Sequence, residues 1–149
     1  MERVVIDASV AVKWFIAEAD HHRARDLRNA FLAGRVDVAC PSIFQYEVLN
    51  ALRFNDSVNA SDLEEAVDSL DKAALPLYPL EGALAKQTVA TARRRDITVY
   101  DASYVTLSRA LRCRLVTADE QLIDAVGDEV EAVHIRDWVL PTGSEPEGP

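Results

Sequence analysis

This sequence lacks several features that would assign it quickly to a class of protein. No apolar run approaches the ~18–20 residues needed to cross a membrane. The first residues enter an apolar, β-branched run without the layout of a signal peptide, which favours a cytoplasmic location. Cysteine is scarce, and Cys40 and Cys113 lie far apart, so we expect reduced thiols and no cysteine-type metal site.

The motifs of several familiar enzyme classes are also missing. The chain has no glycine-rich phosphate loop, and no Ser-His-Asp or Cys-His arrangement can be argued. His21 and His22 are adjacent, so they do not have the i, i+4 spacing of a helical metal pair. Nucleophilic catalysis by serine or cysteine is therefore not supported.

Positive charge is in short supply. Lysine and arginine number 16 against 25 acidic residues, a formal net charge of −9. This balance argues against broad electrostatic attachment to nucleic acid, which usually shows as a basic surface. It does not exclude a nucleic-acid substrate, because acids can surround metal ions while local cations hold phosphates. Candidates for such contacts are Lys13, Arg53, Arg93 to Arg95, Arg109 and Arg112, although we expect most of them to lie on solvated helix faces.

What is present suggests one soluble domain. A chain of 149 residues with 49% apolar and 28% charged residues has the ordinary balance of a globular protein. We expect a single domain over 1–140. The last stretch, 141–149, is rich in proline, glycine and glutamate, and we expect it to be disordered.

Apolar patterning predicts strands that alternate with helices. The predicted strands are at about 4–6, 36–40, 77–78, 114–117 and 132–135. The predicted helices are at about 9–17, 20–33, 42–54, 61–74, 81–94, 101–111 and 119–126. We expect Asp20 and Ser42 to cap their helices and Ser61 to open a capping box with Glu64. The alternation implies an α/β fold with a mostly parallel sheet covered on both faces.

Four acids occupy places where this architecture would bring them together. Asp7 follows the first strand, Asp101 opens a helix, and Asp119 follows the 114–117 strand. Glu47 lies within a helix, and a largely apolar stripe at helical spacing that includes Phe44 and Phe54 would turn it towards the body of the protein. Asn50 is one turn further along and could orient it by a hydrogen bond.

Each acid also has a purely structural interpretation. Asp7, Asp101 and Asp119 could each cap a helix, and Glu47 could be solvated. Taken together, however, four carboxylates in one place would repel one another and their pKa values would rise. A hard divalent cation such as Mg²⁺ removes that conflict and promotes attack of water on a phosphodiester. The cluster therefore points to phosphodiester hydrolysis.

The residues around these acids resemble those of the PIN-domain ribonucleases, and the length and layout resemble VapC-like toxins of prokaryotic toxin–antitoxin pairs. The matching segments appear in the family's order: Val5-Ile6-Asp7-Ala8-Ser9, Glu47-Val48-Leu49-Asn50, Tyr100-Asp101-Ala102 and Thr117-Ala118-Asp119.

The resemblance implies a three-layer α/β/α sandwich whose sheet has about five strands. It implies that Asp7, Glu47, Asp101 and Asp119 hold one or two Mg²⁺ or Mn²⁺ ions, that Thr117 accompanies the last acid, and that Ser9 and Asn50 support the site. Such enzymes are metal-dependent endoribonucleases that act on RNA without a covalent intermediate. The resemblance also implies a homodimer that is silenced by a small cognate antitoxin protein.

Two alternatives stay open at the level of sequence. A phosphatase of the haloacid dehalogenase type would use Asp7 as nucleophile, but that chemistry generally needs a second acid where this chain has Ser9. A PIN-like module without catalysis would only bind a partner protein or RNA, and it would not bind Mg²⁺ or Mn²⁺ at the acids.

Overall fold

The computed structural model describes residues 1–140, and the expectation of a disordered 141–149 segment lies outside the described residues. Five strands alternate with helices along the chain. The strands are β1 (Arg3–Ile6), β2 (Asp37–Pro41), β3 (Leu77–Tyr78), β4 (Arg114–Thr117) and β5 (Ala132–His134). The helices are α1 (Ala8–Val12), α2 (His21–Leu32), α3 (Phe44–Arg53), α4 (Ala60–Ala73), α5 (Gly82–Arg95), α6 (Val99–Leu111) and α7 (Glu120–Val126), and a 3₁₀ turn spans Ile135–Asp137.

The strands form one parallel sheet in the order β3-β2-β1-β4-β5. In the centre, Val5 pairs with Ala39 of β2 on one side and with Leu115 of β4 on the other. Val4, Val5 and Ile6 are all fully buried although successive side chains point to opposite faces, so helices cover the sheet on both faces. The predicted α/β sandwich with a five-stranded parallel sheet is confirmed.

Parallel pairing decides where the functional residues meet. All five strands run in the same direction, so the carboxyl ends of β1 and β4 lie side by side at one edge of the sheet. The residues that follow these ends are Asp7 and Ala118, and the loops that continue from them enter α1 and α7. This edge is therefore where the sequence prediction placed its acids.

Three predicted helix caps are wrong: a different residue caps α4, and no side chain makes a cap bond at α2 or α3. Asn59 caps α4 and shares a capping box with Asp62, so the helix begins before Ser61. Ser42 does not cap α3, whose N-cap position is Ile43. Asp20 has a left-handed backbone (φ 64°) and makes no side-chain cap bond. The first helix is also shorter than predicted and ends at Val12.

A cluster of arginines has a structural role that the sequence did not indicate. Arg94 and Arg95 of α5 and Arg109 of α6 all bind the Glu129 carboxylate, at 2.7, 3.1 and 2.5 Å. These bonds lower the pKa of Glu129 to about 2. Since the three guanidinium groups already share one carboxylate, they join α5 and α6 to the loop before β5. Arg95 and Arg109 are partly buried and do not lie on solvated helix faces, whereas the side chain of Arg94 is half-exposed.

Two further observations agree with the composition. Cys40 and Cys113 are both free thiols, as expected. Across residues 1–140, none of the helices combines the length and the apolarity that a membrane span requires.

Candidate active site

Asp7 lies at the carboxyl end of β1 with only 7% of its surface exposed. It occupies the N-cap position of α1, yet its side chain makes no cap hydrogen bond, so the interpretation of Asp7 as a helix cap is wrong. Two hydroxyl groups bind its carboxylate instead. Ser9 donates to Oδ1 and Thr117 donates to Oδ2, each at 2.6 Å.

The same two hydroxyl groups connect Asp7 to the loop after β4. Ser9 Oγ accepts a hydrogen bond from the Ala118 amide at 2.9 Å, and Thr117 Oγ1 accepts one from the Asp119 amide at 3.0 Å. A hydroxyl has one hydrogen to donate, and here each hydrogen points to Asp7 while a backbone N–H fills an acceptor site. Ser9 and Thr117 therefore fix the orientation of Asp7 and tie it to the segment that carries Asp119.

Burial dominates the titration of Asp7. Desolvation raises the pKa of its carboxyl from 3.8 to about 6, against the lowering effect of the Ser9 and Thr117 hydrogen bonds. The nearby negative charge of Asp119 raises it further. The two hydroxyl groups therefore stabilise the ionised form only in part, and a carboxylate in this position favours an additional positive charge.

Asp119 caps α7, as its structural interpretation predicted. Its Oδ1 accepts hydrogen bonds from the Gln121 and Leu122 amides at 3.0 and 3.2 Å. Its second oxygen, Oδ2, has no hydrogen-bond donor among residues 1–140. One oxygen thus fixes the side chain and the other is available to a ligand.

Asp101 lies in the first turn of α6 and is not its cap. Thr98 holds the N-cap position and accepts a hydrogen bond from the Asp101 amide at 3.0 Å. Burial and the charge of Asp119 raise the pKa of the Asp101 carboxyl. The interpretation of Asp101 as a helix cap is therefore wrong. The negative charge of Asp119 instead raises the pKa of the Asp101 carboxyl.

Glu47 is half-buried on α3, and a tyrosine from α6 fixes its position. The Tyr104 hydroxyl donates to Glu47 Oε1 at 2.6 Å, and Tyr104 is itself 1% exposed. Burial and the charge of Asp101 raise the pKa of Glu47, while the bond from Tyr104 lowers it. Sequence reasoning missed Tyr104, although it lies three residues after Asp101 and thus on the same side of the helix.

Two details of the predicted Glu47 environment differ from the structure. The buried stripe of α3 consists of Phe44, Val48 and Leu52, whereas Phe54 is 73% exposed. Asn50 is exposed and makes no side-chain hydrogen bond within 1–140, so it does not supply the bond that orients Glu47. Asn50 does line a groove of about 630 Å³ together with Glu47, Arg53 and two exposed tyrosines, Tyr46 and Tyr100.

The four carboxylates form an electrostatically connected series. The charge of Asp119 acts on Asp7 and on Asp101, and the charge of Asp101 acts on Glu47. Within the described part of the chain, none of the four is paired with a lysine, arginine or histidine. The site therefore concentrates negative charge that no side chain in 1–140 neutralises by an ion pair.

A divalent cation fits the chemistry of this site, within a limit set by its geometry. All the candidate metal ligands are carboxylate oxygens, which Mg²⁺ and Mn²⁺ prefer. In residues 1–140, no three Asp, Glu, His or Cys side chains are grouped so that they could enclose an ion by themselves. Magnesium is usually held by one or two carboxylates together with water and substrate phosphates, so a complete protein cage is not required.

Comparison with known proteins agrees with this architecture. A family model described as PIN domain matches residues 4–128. The chain belongs to the PIN-domain family. Ribonuclease VapC9 of Mycobacterium tuberculosis is 33% identical over 124 residues, which cover 81% of this chain and 89% of that protein. Ribonuclease VapC1 of the same organism is 30% identical over 139 residues, covering 91% of this chain and 100% of that protein.

Solved structures share the fold at low sequence identity. A toxin–antitoxin complex from Klebsiella pneumoniae contains a chain with a TM-score of 0.65 and 14% identity, and the match covers 89% of this chain and 97% of that chain. Family membership, together with the serine at position 9 that donates to Asp7, sets aside the phosphatase alternative.

The raised pKa of Asp7 predicts that removing its charge stabilises the metal-free protein. Because the folded state favours protonated Asp7, this residue costs stability as pH rises from about 4 to above 6. Asp7→Asn should raise the free energy of unfolding at pH 7.5 by up to about 3 kcal/mol, and the gain should vanish near pH 4. Urea unfolding in the presence of EDTA at both pH values measures this difference.

Asp68→Asn is the matched control, since Asp68 is an exposed residue of α4. It should change stability little at either pH. A destabilised Asp7→Asn protein at pH 7.5 would contradict the assignment of an unfavourable buried charge.

Proposed function

We propose that this chain is a Mg²⁺-dependent endoribonuclease that acts as the toxin of a toxin–antitoxin pair. The observation that carries the proposal is the electrostatically connected series Asp7, Asp119, Asp101 and Glu47, which no side-chain cation neutralises within 1–140. It occurs in a chain of the PIN-domain family that is 33% identical to a protein named as a ribonuclease.

The metal would be held by Asp7 together with Glu47, Asp101 or Asp119, while water and the substrate phosphate complete its ligand shell, with Mn²⁺ as a substitute for Mg²⁺. When bound, the ion would lower the pKa of a water molecule and polarise a phosphoryl oxygen, so that water attacks the phosphodiester directly. Asp7 is the best-positioned ligand, because Ser9 and Thr117 fix both of its oxygens. Glu47 and Asp119 each use one oxygen internally and present the other.

The groove beside Glu47 is a suitable path for single-stranded RNA. Tyr46 and Tyr100 are 75% and 58% exposed along it, and aromatic faces stack on unpaired bases. Arg53 lines the same groove and stacks on the Phe54 ring at 5.1 Å, so its guanidinium group is placed to meet a phosphate. This local cation suits an acidic protein that binds RNA without a broad basic surface.

The central test is cleavage of RNA by an Asp7 variant. Asp7→Asn keeps the shape of the side chain but removes the charge that would hold the cation, so cleavage should fall about a hundredfold or more. A fluorophore–quencher single-stranded RNA in Mg²⁺ buffer measures the rate, and EDTA should abolish it. Circular dichroism would verify that the variant is folded.

Asp68→Asn should cleave at the wild-type rate, because Asp68 is exposed on α4 and lines no part of the site. Undiminished, metal-dependent cleavage by Asp7→Asn would rule out the proposed role of Asp7. Absence of cleavage and of Mg²⁺ binding in the wild-type protein would favour a PIN-like binding module instead.

We further propose that the chain forms a homodimer in the cytoplasm. Its support is a pair of exposed apolar side chains, Leu80 and Val99, that line a surface pocket of about 370 Å³. Leu80→Asp should convert the dimer to a monomer in sedimentation experiments. Leu32→Asp, at a more exposed leucine on α2, should not, and a wild-type monomer would contradict the proposal.

The proposed protein partner is a small antitoxin encoded next to this chain. The support is the structural likeness to a chain of the Klebsiella pneumoniae toxin–antitoxin complex. The product of an adjacent small reading frame should bind the wild-type protein and suppress RNA cleavage. Full cleavage in its presence would contradict this assignment.

A further inference from the structure

A second polar pocket lies away from the acid cluster, between α2 and the end of the described chain. It has a volume of about 440 Å³. Its polar lining and its apolar end are formed by Arg23, Asp26, Asn29, Arg35, Trp138 and Leu140. None of the four clustered carboxylates lines it, so RNA cleavage at Asp7 does not account for the pocket.

Two residues that line this pocket, Trp138 and Arg35, each carry a buried hydrogen-bond donor without an acceptor in the described part of the chain. Within residues 1–140, the indole Nε1 of Trp138 and Nε of Arg35 are both buried and without a partner. Trp138 is 1% exposed, so bulk water does not supply a hydrogen-bond acceptor for its indole N–H. Buried donors are normally paired, because an unmade bond leaves the desolvation of the group uncompensated. The contrast within the chain is Trp14, whose Nε1 donates to the Ala24 carbonyl at 2.8 Å.

The charge of the pocket selects an anion. Arg23 and Arg35 contribute two positive charges against one negative charge from Asp26, and neither arginine forms an ion pair within the described residues. Arg23 already donates to the Trp138 carbonyl at 3.2 Å, which holds its guanidinium group at the pocket. The lining of the pocket is therefore net positive in a chain whose net charge is −9.

A carboxylate suits these donors better than a nucleic-acid backbone. Its two oxygens accept from two separate N–H groups, and bonds between arginine and carboxylate are charge-assisted. The negative charge of Asp26 at the pocket opposes a polyanion such as RNA more than it opposes a single carboxylate. Ala30, Ala33 and Leu140 add apolar lining that a peptide can contact.

We propose that this pocket binds a glutamate carboxylate of an acidic peptide segment, through Arg35, Arg23 and the Trp138 indole. One source is in the same chain: the sequence continues from Leu140 to Glu145-Pro146-Glu147. Glu145 lies five positions beyond Leu140, and an extended chain of that length reaches up to roughly 17 Å. The other source is an acidic segment of a separate protein.

Indole N–H resonances test the proposal on the full-length protein. The chain has two tryptophans, so a ¹H–¹⁵N spectrum contains two indole signals, and Trp14 serves as the internal control. Glu145→Ala/Glu147→Ala is compared with Glu64→Ala, a control at an exposed residue of α4. The peptide acetyl-Ser-Glu-Pro-Glu-Gly-amide is then added to the wild-type and double-variant proteins.

Two results support the pocket and distinguish the sources. If the carboxylate comes from the same chain, the double variant shifts the Trp138 signal alone and the peptide reverses the shift. If it comes from another protein, the double variant changes nothing and the peptide shifts the Trp138 signal of the wild type. In either case Arg35→Gln should weaken the peptide about tenfold or more, whereas Arg93→Gln, at an exposed arginine, should not.

Three results would overturn it. The first is a Trp138 signal that responds to neither the substitutions nor millimolar peptide. The second is a shift in the double variant that the peptide does not reverse. The third is a response to a single-stranded RNA oligonucleotide in place of the peptide, which would assign the pocket to phosphate. An intact Trp14 signal verifies in each case that the variant is folded.

Discussion

The position of the Asp7 carboxylate is the constraint on which the rest of the site depends. A buried acid at the end of a central strand is unfavourable, and the hydrogen bonds from Ser9 and Thr117 to its two oxygens offset that cost only in part. The same hydroxyl groups accept backbone N–H bonds from Ala118 and Asp119, so the loop after β4 cannot move without disturbing Asp7. The order of the strands, with β1 beside β4, makes this connection possible.

The remaining carboxylates extend this arrangement outward through charge. Asp119 acts on Asp7 and Asp101, and Asp101 acts on Glu47, so each acid raises the cost of ionising its neighbour. Three arginines do not offset this charge, because Arg94, Arg95 and Arg109 form ion pairs with Glu129. The proposed cation supplies what the described side chains do not.

The sequence was sufficient to predict the sheet and the position of two of the four acids at its edge. Apolar β-branched runs predict buried parallel strands, and those strands place Asp7 and Asp119 at one edge. The bonds that orient the site were harder to predict because they join distant positions. Tyr104 and Glu47 are 57 residues apart, and the Glu129 contacts span 20 to 35 residues. Caps were mispredicted where two candidates stood close together, as Asn59 and Ser61 do at α4.

The most direct measurement of the central claim is the location of a bound cation. Crystals grown with millimolar Mn²⁺ and measured for anomalous scattering should show a peak within about 2.5 Å of an Asp7 oxygen and of at least one oxygen from Glu47, Asp101 or Asp119. The same peak should be absent from Asp7→Asn crystals. A wild-type structure with no manganese at these carboxylates, or with manganese bound only elsewhere, would contradict the proposed metal site.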